Sequence, residues 1–307
     1  MFAVFKYLHV LVFWMVSSVA VSSIVRASVV APELPEAPEK IVALNWTQAE
    51  MLLTLGIKPA GVTSIKGYRK WQSNDPVLPE GVTELGQRAE PGLEAIAALQ
   101  PDLILGYKWR HSRISSELGA IAPTVLYKQY PSNEDPVNYF IRMQGIFRSV
   151  AQLLRKDALA EAKLQEMTAA LVEARQIIET AGLAGQKVVV GKFVGMGLGL
   201  RVYGDLSLAG AIANEIGLVN DWHTSLPGRD FTHVDLLKLT TIGDASLIII
   251  GSQPENLPDM ANSPIWKALP AVKEGRVYYL PALWSFGGPA SAARMASAFA
   301  RHLAPEV

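Results

Sequence analysis

Arginine and aromatic side chains occur together in four short segments, each of which follows a predicted strand. The segments are KGYRKW, GQRAEP, GYKWRHSR and ALWSFGGP, and their candidate binding residues are Arg69, Trp71, Arg88, Tyr107, Trp109, Arg110, Trp284 and Phe286. A guanidinium group presents a rigid fork of donors to anionic or carbonyl oxygens, and aromatic rings form apolar walls. The pattern therefore predicts a binding site for a bulky, oxygen-rich ligand. For any one segment alone, the alternative is a solvated charge run or a group of core aromatics.

Signatures of catalysis and of metal binding are missing from the sequence. It contains no cysteine, which excludes thiolate metal sites, cysteine nucleophiles and a lipid-modified N-terminal cysteine. The histidines do not lie at metal-ligand spacing, and no GxSxG, HExxH, P-loop or GxGxxG motif is present. We therefore predict a non-enzymatic protein with no protein-ligated metal and no covalent cofactor. A secreted hydrolase is the alternative from another class.

The overall composition is that of a globular protein. The chain has 307 residues, of which 50% are hydrophobic, enough for one large domain or two of ordinary size. Its 28 basic and 28 acidic residues cancel, so the positive footprint expected of a general nucleic-acid binder is missing.

Residues 1–27 have the pattern of a secretory signal peptide. Lys6 precedes an apolar run from Tyr7 to Val25, and the tripeptide VRA that ends at residue 27 offers a cleavage site that leaves Ser28 as the mature N-terminus. The alternative is an uncleaved membrane anchor, because the run approaches spanning length. Serines within the run favour cleavage, so we predict a soluble, exported protein.

One long helix is predicted near the middle of the chain. The stretch Asp157–Thr180 carries apolar residues at helical spacing with charged residues between them. At about 1.5 Å per residue it spans roughly 35 Å, the breadth of a domain. The alternative to a connection between two domains is a peripheral helix of one domain.

Short apolar runs alternate with helical patterns on both sides of this helix. The segment LEAIAALQPDLILG before it is echoed by VDLLKLTTIGDASLIIIG after it, in both cases read as a helix, a short link and a strand. The prediction is an α/β protein of two open lobes with central sheets, residues 28–156 and 181–307, joined by the interdomain helix 157–180. Because open α/β sheets bind ligands at the carboxyl ends of their strands, the ligand cleft is expected between the lobes.

The sequence resembles the periplasmic ferric-hydroxamate-siderophore-binding proteins, which belong to the substrate-binding proteins with two α/β lobes joined by a single long helix. The matching runs are KIVALNWTQAEMLLTLGIKPAGV, GYRKW, LGQRAEPGLEAIAALQPDLIL, IWKALPAVKEGRVYYLPALW and GGPASAAR. The resemblance implies a periplasmic, monomeric protein that binds a ferric siderophore and delivers it to an inner-membrane ABC permease. It also implies that the siderophore holds the iron. A haem or cobalamin carrier of the same fold is the alternative.

The resemblance also implies roles for individual residues. Arg88 and a nearby tyrosine donate hydrogen bonds to hydroxamate oxygens, and Trp71 and Trp284 line the pocket. Tyr107 and Arg110 compete for the tyrosine's position, and Tyr107 is preferred. The position of a second-lobe tryptophan of the family corresponds to the region of Arg229 in this sequence, so a cation is expected where the family has a ring. Acidic residues that dock to the transporter are expected at Glu94, Glu90 and Asp235.

The surroundings of the tryptophans further predict a negatively charged ligand, such as a citrate-based hydroxamate of the aerobactin kind. The basic residues on which this expectation rests are Lys66, Arg69, Lys70, Lys108, Arg110, His111, Arg113 and Arg229. A neutral trihydroxamate has no need of so many cations, whereas a carboxylate-bearing complex is steered and held by them.

Overall fold

The computed structural model describes residues 28–30, 36–194, 199–252, 257 and 259–305, so the expected signal peptide lies outside the described residues. Two six-stranded sheets precede and follow the longest helix of the described part in sequence. No helix in the described part is long and apolar enough to cross a membrane.

The first sheet is built from short strands before residue 128. They are β1 (Ser28–Val30), β2 (Ile41–Ala43), β3 (Gly61–Val62), β4 (Thr83–Glu84), β5 (Leu103–Tyr107) and β6 (Thr124–Tyr127). Their order is β1-β6-β5-β2-β3-β4, and only β1 runs antiparallel to its neighbour. Strands β2 and β5 are fully buried, as expected for apolar runs in a parallel sheet covered on both faces.

Six helices accompany this sheet. They are α1 (Trp46–Thr54), α2 (Ile65–Trp71), α3 (Leu93–Ala98), α4 (Lys108–His111), α5 (Ser115–Ile121) and α6 (Tyr139–Leu153). Asn45 caps α1, and its side-chain oxygen accepts from the Thr47 N–H at 3.5 Å. The Thr47 hydroxyl donates to the Phe286 carbonyl, far away in sequence.

The segment containing GYRKW forms helix α2. The helix starts where the Glu84 carboxylate accepts from the N–H groups of Ser64 and Ile65, both at 2.8 Å. A carboxylate at a helix N-terminus satisfies unpaired donors and opposes the helix dipole. Because Glu84 is about twenty residues away in sequence, local turn formers gave no sign of this cap.

Helix α7 (Asp157–Thr180) has the bounds predicted for it. Its buried residues form a stripe at alternating spacings of four and three: Ala160, Leu164, Met167, Leu171, Ala174 and Ile178. This stripe packs against α6 and the C-terminal helix α11 (Pro289–Leu303). One hydrophobic core joins α7 to buried residues of both sheets, such as Leu105 and Ile248.

The second sheet has the order β10-β8-β7-β11-β12, with β9 paired to β7. Its strands are β7 (Lys187–Val194), β8 (Gly199–Tyr203), β9 (Val219–Asn220), β10 (Phe231–Val234), β11 (Ser246–Ile250) and β12 (Val277–Leu280). Strand β8 is antiparallel to β7 and β10, and the other pairs are parallel. Besides α11, this part contains α8 (Leu208–Glu215), α9 (Pro264–Ala268) and α10 (Pro270–Lys273).

The predicted helix VDLLKLTTIGD is wrong. The backbone up to Val234 pairs with β8, opposite Leu200, and only Lys238–Thr241 form a short 3-10 turn. Pairing with β8 satisfies the backbone groups that a helix would otherwise bond internally. The fold class, two α/β lobes with central sheets, is confirmed.

Candidate ligand-binding site

A cavity of about 330 Å³ lies between the two sheets and is lined by residues of both lobes. Its wall consists of Asn45, Trp46, Trp71, Arg88, Trp109, Arg110, Gln129, Tyr130, Lys192, Arg201, Arg229, Phe231, Trp284 and Phe286. In the first sheet, β2, β5 and β6 each end just before wall residues, as the rule for open α/β sheets predicts. The cavity therefore lies at the edge of this sheet where the sequence predicted a binding site.

Contacting aromatic rings form the floor of the cavity. Trp46 and Trp284 meet edge to face with ring centroids 4.5 Å apart, and Trp284 lies 5.4 Å from Phe286. Tyr130 lies 5.9 Å from Phe286 and 5.3 Å from Trp109. Ring contacts of this kind fix the rings in place, so the aromatic part of the wall is rigid.

Arg88 lies on this floor. The carbon of its guanidinium is 3.6 Å from the Trp46 ring centroid and 4.9 Å from that of Trp284. Burial, followed by the charge of Arg110, lowers the Arg88 pKa to about 10. The group is still charged at neutral pH, and the rings orient its donors toward the cavity.

His111 holds the Arg88 segment against strand β5. Its Nδ1 accepts from the Tyr107 N–H at 3.1 Å, so its Nε2 donates to the Arg88 carbonyl at 3.0 Å. Burial lowers the His111 pKa to about 4, which keeps the ring neutral and suits this tautomer. Gly106 leaves room for the ring, because a Cβ there would lie 2.6 Å from Nδ1. His111 is thus a positioning residue and adds no charge to the cavity.

Three cations enter the cavity from the second half of the chain. Lys192 lies 3.8 Å above the Trp71 ring, and Arg201 lies 4.2 Å above the Phe231 ring. Arg229 lies between two rings of the first half, 5.0 Å from Trp109 and 4.7 Å from Tyr130. Of these three, only Arg229 was a candidate from the sequence.

Arg110, the fifth cation of the wall, stacks on its neighbour Trp109 at 4.2 Å. Its Nε is buried and has no hydrogen-bond partner among the described residues. Burial is the main reason that its pKa is lowered. The Trp109 indole donates to Gln129 at 2.7 Å, which fixes the ring on which Arg110 lies.

The cavity brings together most of the candidates from the sequence: Trp71, Arg88, Trp109, Arg110, Arg229, Trp284 and Phe286. It does not include Tyr107 or Arg69. Tyr107 is fully buried, its hydroxyl is 3.0 Å from that of Tyr139, and burial raises its pKa to about 12. Arg69 is exposed on α2. Our preference for Tyr107 as the tyrosine facing the ligand is therefore corrected, and Tyr130 is the tyrosine in the wall.

Most of the other basic residues expected near the ligand also lie elsewhere. Lys66, Lys70 and Arg113 are exposed and, like Lys108, are not part of the wall. The expected docking acids Glu90, Glu94 and Asp235 are exposed and outside the cavity. Within the described residues, no group of three acidic or histidine side chains is placed to hold a metal ion.

Several wall residues were not predicted: Asn45, Trp46, Gln129, Tyr130, Lys192, Arg201 and Phe231. For Trp46 and Tyr130 a signal existed, because each follows a strand of the first sheet by three residues. Lys192 and Arg201 lie within strands, where alternation does not say which face meets the cavity.

The model of one protein family matches residues 41–283, most of the chain, and this family is described as periplasmic binding protein. The chain belongs to this family. It is thus a binding protein and not an enzyme, and the resemblance noted in the sequence is confirmed.

Individual relatives agree with this family. The chain is 27% identical over 265 residues to the iron(3+)-hydroxamate-binding protein FhuD of Escherichia coli (strain K12), covering 83% of each chain. It is 27% identical over 244 residues to the Fe(3+)-citrate-binding protein YfmC of Bacillus subtilis (strain 168), covering 78% of this chain and 72% of that one.

A solved structure shares the fold. The crystal structure of the Fe3+-Desferal-bound siderophore-binding protein FhuD from Vibrio cholerae matches with a TM-score of 0.79 at 28% identity. The match covers 86% of this chain and 97% of that chain.

Proposed function

We propose that the protein binds a ferric siderophore in the cavity between the lobes and delivers it to an ABC permease of the inner membrane. The observation that carries this proposal is the wall itself, in which cations rest on aromatic rings. Guanidinium groups bind the oxygens that surround the iron, and the rings cover the organic part of the complex. The siderophore supplies all ligands to the iron, so the protein needs none. The relatives that bind ferric hydroxamate and ferric citrate support this class of ligand.

Arg88 is the proposed primary donor to the iron-bound oxygens. It is held on two rings at the floor, where water is largely excluded and hydrogen bonds to charged oxygens are strongest. Tyr130, rather than Tyr107, is the proposed tyrosine donor, because its side chain reaches the wall. Trp71 and Trp284 are proposed to flank the ligand.

Export and transporter docking complete the proposal. Residues 1–27 act as a signal peptide that is removed, and the mature protein works as a periplasmic monomer with lobes 28–156 and 181–307. Glu94, with Glu90 beside it, and Asp235 are exposed acids that precede and follow α7 in sequence. They are proposed to meet basic residues of the permease.

A fluorescence titration tests the proposed ligand class. Ferric siderophores are added to the purified mature protein, and tryptophan emission is followed because Trp46, Trp71, Trp109 and Trp284 line the cavity. We expect saturable quenching by at least one ferric complex and none by its iron-free form. If haem or cobalamin binds and no ferric siderophore does, the proposal is overturned in favour of the alternative carrier.

A further inference from the structure

Five cations converge on the cavity, and its wall contains no acidic residue. They are Arg88, Arg110, Lys192, Arg201 and Arg229. In the described part of the chain, none of them forms an ion pair with a carboxylate. Each is instead held on an aromatic ring, at distances of 3.6 to 5.0 Å. Rings orient these charges but do not neutralise them.

The protein itself offers little to offset this charge. Asp230 interacts electrostatically with Arg201 and Arg229, yet it is fully buried and its carboxylate oxygens lack hydrogen-bond partners within the described residues. Burial raises the Asp230 pKa to about 7, so this group is only partly ionised near neutral pH. Bringing like charges together in a half-buried cavity without counterions is costly, and a site that tolerates this cost is suited to an anion.

The other cations of the wall contribute to a lowered pKa of Lys192. Its pKa is lowered to about 8, first by burial and then by Arg201, Arg88 and Lys70. An ammonium group held above an indole ring beside other cations binds an anionic group without first breaking an ion pair. The same holds for Arg201 and Arg229, which the second half of the chain contributes to the wall.

We propose that the cavity selects ferric complexes that carry several negative charges as carboxylates, and that Lys192, Arg201 and Arg229 form the subsite that reads those carboxylates. This inference rests on the proposed function, because it names the substrate class of the same cavity. A neutral ferric trihydroxamate leaves the positive charges of Lys192, Arg201 and Arg229 without a counterion. A carboxylate-bearing complex pairs them, and the arginine forks match the two oxygens of a carboxylate.

This assignment revises the sequence basis for an anionic ligand. Of the basic residues expected from the sequence, Lys66, Arg69, Lys70 and Arg113 are exposed and outside the wall, whereas Arg110 and Arg229 belong to it. Lys192 on β7 and Arg201 on β8 add cations that the sequence did not predict.

The test compares three ferric complexes by tryptophan-fluorescence titration. Ferric aerobactin carries free and iron-bound carboxylates, ferrichrome is a neutral trihydroxamate, and a ferric triscatecholate is polyanionic without carboxylates. We expect wild-type protein to bind ferric aerobactin at least about tenfold more tightly than ferrichrome. Raising NaCl from about 0.05 M to about 0.5 M is expected to weaken the first interaction more steeply.

Variants then assign the subsite. Lys192→Gln and Arg201→Gln are each expected to weaken ferric aerobactin about tenfold and ferrichrome less than about twofold. Lys66→Gln, which removes an exposed cation from α2, is the matched control and should change neither. Circular dichroism confirms that each variant is folded.

The outcomes are distinguishable. Equal affinities and equal salt dependence for aerobactin and ferrichrome overturn the charge selection but leave the proposed function intact. If the variants weaken ferric aerobactin and ferrichrome equally, the proposal of a carboxylate subsite is overturned. If the triscatecholate binds most tightly, the assignment to carboxylates is overturned. If none of the three complexes binds, the proposed function itself fails.

Discussion

At the scale of single residues, the cavity places charged groups on apolar rings instead of pairing them with acids. Arg88, which lies over the rings of Trp46 and Trp284, is one example. A cation above a ring keeps its charge and its donors while its flat face is covered. Its hydrogen bonds to a ligand therefore form in a partly dry environment, where they are strong.

Replacing Arg88 with alanine is expected to weaken ferric-siderophore binding by about 1.5–3 kcal/mol, roughly ten- to a hundredfold, because charge-assisted hydrogen bonds are lost. The affinity is measured by fluorescence titration. Arg69→Ala is the matched control, since Arg69 is exposed and outside the wall. Unchanged affinity in Arg88→Ala would remove this residue from the proposed site.

Lys192 gives the affinity a dependence on pH. Its pKa is lowered to about 8 in the free protein, and a bound anion raises it again. Protonation of Lys192 therefore strengthens anion binding, and anion binding favours protonation. The contribution of Lys192 to the affinity for a polyanionic ferric complex should therefore be constant below about pH 7 and fall as pH rises from about 7 to 9. Asp230, whose pKa is raised to about 7, becomes charged beside Arg201 and Arg229 and adds a fall of the same sign near pH 7, which remains in Lys192→Arg.

The fall is measured as Kd against pH in wild type and in Lys192→Arg, which keeps its charge over this range. The pKa of Arg88, about 10, lies above this window. A fall of equal size in Lys192→Arg would assign the effect to another group.

At the scale of elements, the carboxylate of Glu50 joins α1 to the start of α11. It is fully buried and accepts from the Gly288 N–H at 2.9 Å, the Ser291 N–H at 2.8 Å and the Ser291 hydroxyl at 2.7 Å. Gln72 donates to it at 2.7 Å. The N-terminus of α11 is thus capped by a residue more than two hundred positions earlier, which ties the two halves of the chain together behind the cavity.

Glu50→Ala is expected to lower the free energy of unfolding by about 3 kcal/mol, because it leaves several buried donors without an acceptor. Urea denaturation measures the change. The control is Glu161→Ala on α7, whose exposed carboxylate pairs with Arg148 at 2.6 Å and should contribute less than about 1 kcal/mol. Equal losses in the two variants would contradict the role of Glu50.

At the scale of the whole molecule, the two lobes are joined by more than a single connection. Helix α7 spans the structure, and the core along it contains buried residues of both sheets. Further bonds cross between the halves near the cavity, including Tyr139 to the Phe286 carbonyl at 2.7 Å and Ser73 to the Ala282 carbonyl at 3.0 Å. A shared core resists the wide hinge motion that flexible connections allow.

Ligand binding should accordingly move the lobes little. We expect the radius of gyration to change by less than about 1 Å on saturation with a ferric siderophore, as in other pre-organised complexes. Small-angle X-ray scattering on free and saturated protein measures this. A clearly larger decrease would indicate domain closure and contradict the inference that the shared core limits hinge motion.

The sequence alone determined the family resemblance, the α/β alternation, the bounds of α7 and the segments that carry Arg88, Trp109 and Trp284. These features are local, because helical periodicity and strand–turn punctuation are written in neighbouring residues. Tertiary structure decided what depends on distant partners. The Glu84 carboxylate caps the start of α2, and Val234 is in a strand because it pairs with β8.

The charge of the cavity was also decided by tertiary structure. In β8, Leu200 and Val202 enter the core while Arg201 between them faces the cavity, and in β7 Phe193 packs on the core beside Lys192. Alternation along a strand defines two faces, but only the packing of the sheet decides which one meets a ligand. For the same reason Tyr107 turned inward to Tyr139, and Tyr130 became the tyrosine of the wall.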